Sequence, residues 1–187
     1  LLEFRSIYEG EKVKVTTTRF GELEVKKQDV FHLNEGLMGF ESLKDFFIVD
    51  PGDQTLILWL QSVADSAVAF PVIEPKIFNP DYQLKLLPQE MKSLELTDLA
   101  HSTVFCILTI PRLVTEMSAN LKAPIIINNQ TKKGRQIVLQ DSKLDIRLKI
   151  YNDLKKFIVN YTSNDTPPPG PKNEAPTVIS PSDSKAP

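Results

Sequence analysis

From Lys12 onward the chain alternates apolar and polar positions. Val13 and Val15 stand between polar residues as far as Thr18, and Phe20, Leu23 and Val25 alternate less regularly around Gly21. A period of two places every second side chain on one face of a strand, so two strands are predicted here, the second entered by a turn. Phe46–Val49 and Leu56–Val63 are the next two strands. Between them Asp50-Pro51-Gly52-Asp53 is a strong turn signal, because proline presets φ and glycine supplies a positive φ. Val68–Ile73 reads as a strand carrying Pro71, which donates no ladder hydrogen bond and so predicts an edge or a bulge. Thr103–Ile110 is a continuous β-branched and aromatic run, predicting burial on both faces. Ile125–Asn128 and Gln136–Gln140 flank Asn129–Arg135 and predict a hairpin with that stretch as its loop.

Helical signals are fewer. Pro88-Gln89-Glu90-Met91 puts proline at a first helical position and an acid in the first turn. Ile150, Tyr151, Leu154, Phe157, Ile158 and Tyr161 form one stripe of an amphipathic helix over about 150–161. Leu144, Ile146 and Leu148 alternate just before it, predicting a strand that runs into the helix.

Composition adds a boundary. Seven of the 14 prolines lie between Pro167 and Pro187, in a stretch with no aromatic residue. Such a segment buries too little apolar surface to offset the entropy of ordering it. The expected organisation is therefore a folded domain over 1–162 and a disordered proline-rich tail over 163–187. The 41% hydrophobic content suffices for one core, and the net charge of −2 argues against a dedicated polyanion binder. The single cysteine, Cys106, excludes an intrachain disulfide. No apolar run reaches the ~20 residues that cross a bilayer as a helix. Leu1–Arg5 lacks the regions of a signal peptide, so a cytoplasmic location is expected.

Catalytic inventories are thin. His32 and His101 are far apart in sequence, and nothing sets Cys, His or carboxylates at metal-ligand spacing. Cys106, within Val104–Leu108, reads as a small buried hydrophobe. The 7 glycines are too scattered for a phosphate cradle. No catalytic residue, metal or cofactor is expected. Residues 130–156 carry eight basic side chains against Asp141, Asp145 and Asp153, a local charge of +5. That is either a solvated hairpin tip and helix face or a docking face for RNA or an acidic partner, although the aromatic interleaving of RNA platforms is missing.

Two loops suggest more than scaffold. Glu35-Gly36-Leu37-Met38-Gly39-Phe40-Glu41 places apolar residues between glycines. Glu74–Tyr82 carries Phe78 and Tyr82 on a segment stiffened by Pro75 and Pro80. Rigid aromatic loops lose little entropy on binding. Equally, Phe78 and Tyr82 could cap the end of the sheet.

In order along the chain, the loop Gly36–Glu41, then Leu60-Gln61-Ser62-Val63 with Asp65, Ala69–Val72, Pro75 with Phe78–Tyr82, and Met117-Ser118-Ala119-Asn120-Leu121-Lys122-Ala123-Pro124-Ile125-Ile126-Ile127-Asn128 resemble the flagellar assembly factor family FliW. The first is commonly GLPGFE there, and the last MTANLxAPIVIN. The resemblance covers residues 12–142. With the strand pattern it gives the expected fold: mainly β, a small barrel-like antiparallel domain with one short helix and an additional C-terminal amphipathic helix. It implies a protein that binds newly made flagellin and, in competition, the translational repressor CsrA, with no catalysis and no cofactor; a monomer that binds no nucleic acid directly is expected. Phe40, Phe78, Asp81 and Tyr82 are the candidate contact residues; Asn120 reads as fixing the turn before Pro124. Three departures stand out: Met38 for proline, Ser118 for threonine, and the added helix and tail. The helix either packs back on the barrel or extends a binding face. An RNA-binding β-barrel using the 132–156 face is the alternative.

Overall fold

The computed structural model describes residues 11–52, 55–155 and 175–183. In chain order the strands are β1 (Lys12–Thr17), β2 (Gly21–Lys26), β3 (Phe31–Leu33), β4 (Asp45–Asp50), β5 (Leu58–Ser62), β6 (Ala69–Ile73), β7 (Ser102–Thr109), β8 (Ser118–Ala119), β9 (Ile125–Asn128), β10 (Lys133–Gln136), β11 (Leu148–Lys149) and β12 (Thr177–Ile179). Among the described residues three helical segments join them: α1 (Pro75–Phe78), α2 (Pro88–Ser93) and α3 (residues 151–155, where the described residues stop). Strands β7-β6-β5-β4-β3-β10-β9 form a closed seven-stranded barrel, β9 returning to pair with β7. All its pairings are antiparallel except β3 with β10. The mainly β, barrel-like expectation is met.

The continuous apolar runs follow from this closure. Successive side chains of a strand point to opposite faces. Phe46 and Ile48 of β4, Leu58 and Leu60 of β5, Phe105 of β7, and Ile125 and Ile127 of β9 fill the barrel interior. Their neighbours point outward and are covered as well. Phe47 and Val49 lie under Val15, Leu23 and Val25 of the β1–β2 hairpin. Ile73, Cys106 and Ile126 lie under Ile77, Phe78, Tyr82, Leu94, Leu139 and Ile150. Three cores, one inside and two outside, leave no polar face on these strands. The hairpin, which covers from one side only, keeps its alternation. Lys12–Glu24 and Lys14–Glu22 cross-strand pairs at 2.8 Å mark its solvent face.

Several local expectations are met. Gly52 takes a φ of +72° and donates its N–H to Asp50 Oδ1 at 2.9 Å. Pro88 begins α2, and Glu90 accepts the Leu87 N–H at 2.7 Å. One is not: β6 is interior, paired with β5 and β7, so the edge predicted from Pro71 is not found; the proline is accommodated because the register with β7 begins only at Val72 and Pro71 pairs across to Trp59 alone.

Four further expectations need correction. The strand predicted at Gln136–Gln140 is instead Lys133–Gln136, and the loop shrinks to Asn129–Lys132. Asn128 Oδ1 fixes that loop by accepting the N–H groups of Gln130 and Thr131, at 2.9 and 3.2 Å. Polar Lys133–Gln136 becomes a strand because it closes the barrel between β3 and β9. There Gly134 is needed: a Cβ would stand 2.6 Å from Leu33 Cδ2. Ile137 and Leu139 stay buried beyond it. Second, the strand predicted over 144–148 is only Leu148–Lys149, and Ile146 is 61% exposed. Third, Pro75–Phe78 is a helical turn, so there is one more short helix than expected. Fourth, the tail is not wholly without structure, since Thr177–Ile179 pairs with Asp50–Ile48 of β4 and Pro181 is buried. The C-terminal amphipathic helix is seen at residues 151–155, where Leu154, with Ile150 just before the helix, packs into the outer core. The part of the predicted helix from 156 to 161, and residues 163–174 and 184–187 of the tail, lie outside the described residues.

Candidate functional site: the Gly36–Glu41 loop and its supports

Residues Leu37–Phe40 form a tight turn in which the Phe40 N–H reaches the Leu37 carbonyl at 2.8 Å. Gly39 holds the position that needs a positive φ, at +82°, so Met38 occupies the place where a type II turn favours proline. Gly36 is tighter. Its φ is +71°, and a Cβ there would lie 2.8 Å from the Phe40 carbonyl oxygen and from the Glu41 Cα. Leu37 plugs the barrel interior, while Met38 is 53% and Phe40 38% exposed. The Phe40 ring stands edge-on to Phe70, with centroids 5.0 Å apart. Glu41 Oε1 accepts the Gly39 N–H at 2.8 Å, and this bond holds the Glu41 carboxyl below the usual range.

Two residues of β10 tie the loop to the rest of the molecule. Gln136 accepts the Met38 N–H at 2.9 Å through Oε1 and donates to the Ala123 carbonyl at 3.2 Å through Nε2. Arg135 pairs with Glu35 at 2.8 Å and donates to Ser93 Oγ at 3.2 Å. The Gly36–Glu41 loop, the Ala123 segment and α2 are thus held to one strand. Beyond Gln136, the exposed Val138 and Leu87 line a cavity of about 340 Å³ with Leu86 and Leu144. The result is a built surface of exposed apolar side chains on a bonded loop, suited to contact with another macromolecule. Sequence reading misses Gln136 and Arg135 because they fall at an expected strand end and in an expected loop.

The four candidate contact residues divide. Phe40 and Asp81 are exposed. Phe78 and Tyr82 are core residues, 9% and 5% exposed, packed with Ile73, Cys106 and Leu121. The Tyr82 hydroxyl donates to the Leu121 carbonyl at 3.0 Å, and burial pushes its pKa well up. The one-turn helix α1 folds both aromatics inward, so they cap the sheet instead of facing a partner.

Other motif positions are turn locks. Asn120 Oδ1 accepts the N–H groups of Lys122 and Ala123, both at 3.1 Å, fixing the turn before Pro124 as expected. Buried Gln61 donates through Nε2 to the carbonyls of Ser62, Asp65 and Val68, and Ser62 Oγ accepts from Ala64 and Asp65. Cys106 is buried, and burial pushes its thiol up to about 12. His32 pairs with Asp45 at 2.7 Å on the exposed side of β3 and β4, and His101 is exposed in the turn before β7. Among the described residues no three His, Cys, Asp or Glu side chains cluster to hold a metal.

The basic stretch does not present its charge freely. Lys133 pairs with Glu95, Arg135 with Glu35 and Lys149 with Glu116, while Lys132 Nζ donates to Ser180 Oγ. Acids from elsewhere in the chain neutralise much of the +5 segment. No helix among the described residues is long and apolar enough to cross a membrane.

The profile of the family described as FliW protein matches residues 14–150. The flagellar assembly factor FliW of Bdellovibrio bacteriovorus is 42% identical over 145 residues, covering 78% of this chain and 83% of that protein. The protein of the same description from Caldicellulosiruptor bescii is 41% identical over 144 residues, covering 77% and 94%. A crystal structure of the flagellar assembly factor FliW superposes with a TM-score of 0.69 at 28% identity, covering 74% of this chain and 96% of that one. The barrel, the loop around Phe40 and the turn-locking amides fall within the matched range, and the chain belongs to the FliW family of flagellar assembly factors.

Proposed function

We propose that this chain binds flagellin in the cytoplasm and, when free of flagellin, captures the translational repressor CsrA, so that flagellin export raises flagellin synthesis. Family membership supports a role in flagellar assembly. The observation that carries a binding role for this chain is the loop at Met38 and Phe40: two large apolar side chains are held exposed by a turn bonded to β10. A protein whose exposed apolar residues are fixed in place loses little entropy on association. Mass action suffices for the switch: a partner that binds one state displaces the other in proportion to its concentration and affinity, with no catalysis and no cofactor.

Titration calorimetry of the purified chain with flagellin, with the repressor, and with the repressor after saturation by flagellin tests this. Each partner binds alone, and flagellin reduces repressor binding. Heat from neither partner, or full repressor binding to the flagellin-saturated chain, would sink the proposal.

A further inference from the structure

A cavity of about 660 Å³ is lined by the start of α1, the segment 82–85 that leads to α2, and the first residues of β7. Ser182 lines it as well, next to Pro181, whose carbonyl accepts from Thr103 Oγ1 at 2.9 Å. The size suits a small ligand. The family match ends at residue 150, so one wall of the cavity lies outside the matched barrel.

The charges around this cavity are uncommitted. Glu74 stands at the N-cap of α1, and its Oε1 is buried with no hydrogen-bond partner among the described residues. Such an oxygen has given up water and received no donor in return, which is costly for a carboxylate. The group turns about its terminal bond, so either oxygen can meet a donor that enters the cavity. Lys76 and Lys85 line the same cavity and are exposed. Neither pairs with Glu74, and none of the three has an ion-pair partner among the described residues. Opposite charges that line one cavity without meeting leave room between them for a ligand that carries both.

The uncharged lining fits the rest of such a ligand. Asn129 Oδ1 accepts from Thr103 Oγ1 at 2.9 Å, which leaves the Asn129 Nδ2 group to donate. Leu84 and Leu99, both half-buried, supply apolar wall. We propose that this cavity binds a small zwitterion: an α-amino acid or short peptide with an apolar side chain and both ends free. Its ammonium group donates to Glu74. Its carboxylate accepts from Lys76 or Lys85 and from Asn129, and its side chain lies against Leu84 and Leu99. A purely cationic ligand is opposed by the two lysines, and a purely anionic one is repelled by Glu74 and leaves it without a donor. Charge-assisted hydrogen bonds at both ends set the selectivity. This inference does not depend on flagellin or the repressor being a partner.

The test is titration calorimetry of the full chain with leucine and with the tripeptide Ala-Leu-Ala. Each is compared with its N-acetylated form, which lacks the ammonium group, and with its amide, which lacks the carboxylate. At least one of the two zwitterions binds at concentrations on the order of 10 mM, and which one does tells a free amino acid from a peptide as the natural ligand. Blocking either end weakens binding at least about tenfold. Glu74→Gln keeps the shape and removes the charge, so it abolishes the preference for the free amine. Lys76→Ala together with Lys85→Ala abolishes the preference for the free carboxylate. Binding of neither zwitterion, equal binding of the blocked forms, or a Glu74→Gln chain that still prefers the free amine overturns the proposal. If the Glu74→Gln chain does not fold, the comparison of free and blocked ligands on the parent decides alone.

Discussion

Gln136 and Met38 are 98 positions apart in sequence, and a single 2.9 Å hydrogen bond from the Met38 N–H to the Gln136 side chain joins them. Proline at position 38 could not make that bond. The residue that departs from the family's loop pattern and the glutamine that accepts from it therefore act as a pair. Met38→Pro removes the donor but pre-sets the backbone of a turn whose geometry favours proline. In the parent, the lost bond, about 1 kcal/mol, roughly offsets the entropic gain. With Gln136→Ala already present there is no bond to lose, and Met38→Pro stabilises by roughly 0.5–1 kcal/mol. Urea denaturation of the two single variants and the double variant gives the coupling; strict additivity would show that the bond contributes nothing.

The two loop glycines separate backbone strain from steric exclusion. Gly39 has a positive φ but no atom within 4 Å of the place a Cβ would take, whereas Gly36 has both a positive φ and backbone atoms at 2.8 Å. Gly39→Ala loses about 1–2 kcal/mol from conformation alone. Gly36→Ala loses more, because the Phe40–Glu41 backbone must also move. Equal losses from the two, measured by chemical denaturation, would contradict this geometry.

Phe40 and Tyr82 look alike in the sequence and differ in the structure. Phe40→Ala leaves the barrel folded, with a loss limited to its partial burial and its edge contact with Phe70, itself worth about 0.5–1.5 kcal/mol. Under the proposed function it weakens flagellin binding at least tenfold. Phe78→Ala removes a buried ring and loses about 3–5 kcal/mol. Tyr82→Phe strands the Leu121 carbonyl and loses about 1–3 kcal/mol. Thermal unfolding and calorimetry on the same samples separate these roles. A Phe40→Ala chain that binds normally would move the contact surface elsewhere.

What the sequence makes legible follows the physics of burial. Phe46–Val49 and Ile125–Asn128 read clearly because both faces of those strands are covered, which removes polar residues from them. Lys133–Gln136 does not read as a strand. Its neighbours on both sides supply the ladder, and the requirement for a glycine against Leu33 looks like turn chemistry from sequence alone. Thr177–Ile179 is hidden by its prolines, since a three-residue strand gains its stability from the β4 edge and not from its own composition. Phe78 and Tyr82 look like interface residues because a proline-stiffened loop reads as open. One turn of helix closes it. Asn120 is legible because an amide before a proline turn acts locally. Gln136 is not, because its loop partner lies far away along the chain.

Asp29 gives the last prediction, through pH. Burial beside β12 raises its pKa from the ordinary aspartate value, with Asp183 adding to the rise and Lys26 and Lys132 opposing it. A carboxyl whose folded pKa exceeds its unfolded one holds its proton more tightly in the folded chain. Its contribution to stability is therefore fully present below the unfolded value, near 4, and is lost as pH rises through the folded value. At neutral pH the folded chain carries a charge it would be more stable without. Asp29→Asn keeps the shape and removes that charge. The variant melts at a higher temperature than the parent at pH 7, and the gap narrows as the pH falls toward 4, where the parent's own carboxyl takes up its proton. The difference between the two melting curves at each pH isolates the effect of the Asp29 charge. A gap that stays constant with pH, or a variant less stable than the parent at pH 7, would mean that Lys26 and Lys132 outweigh burial at this site.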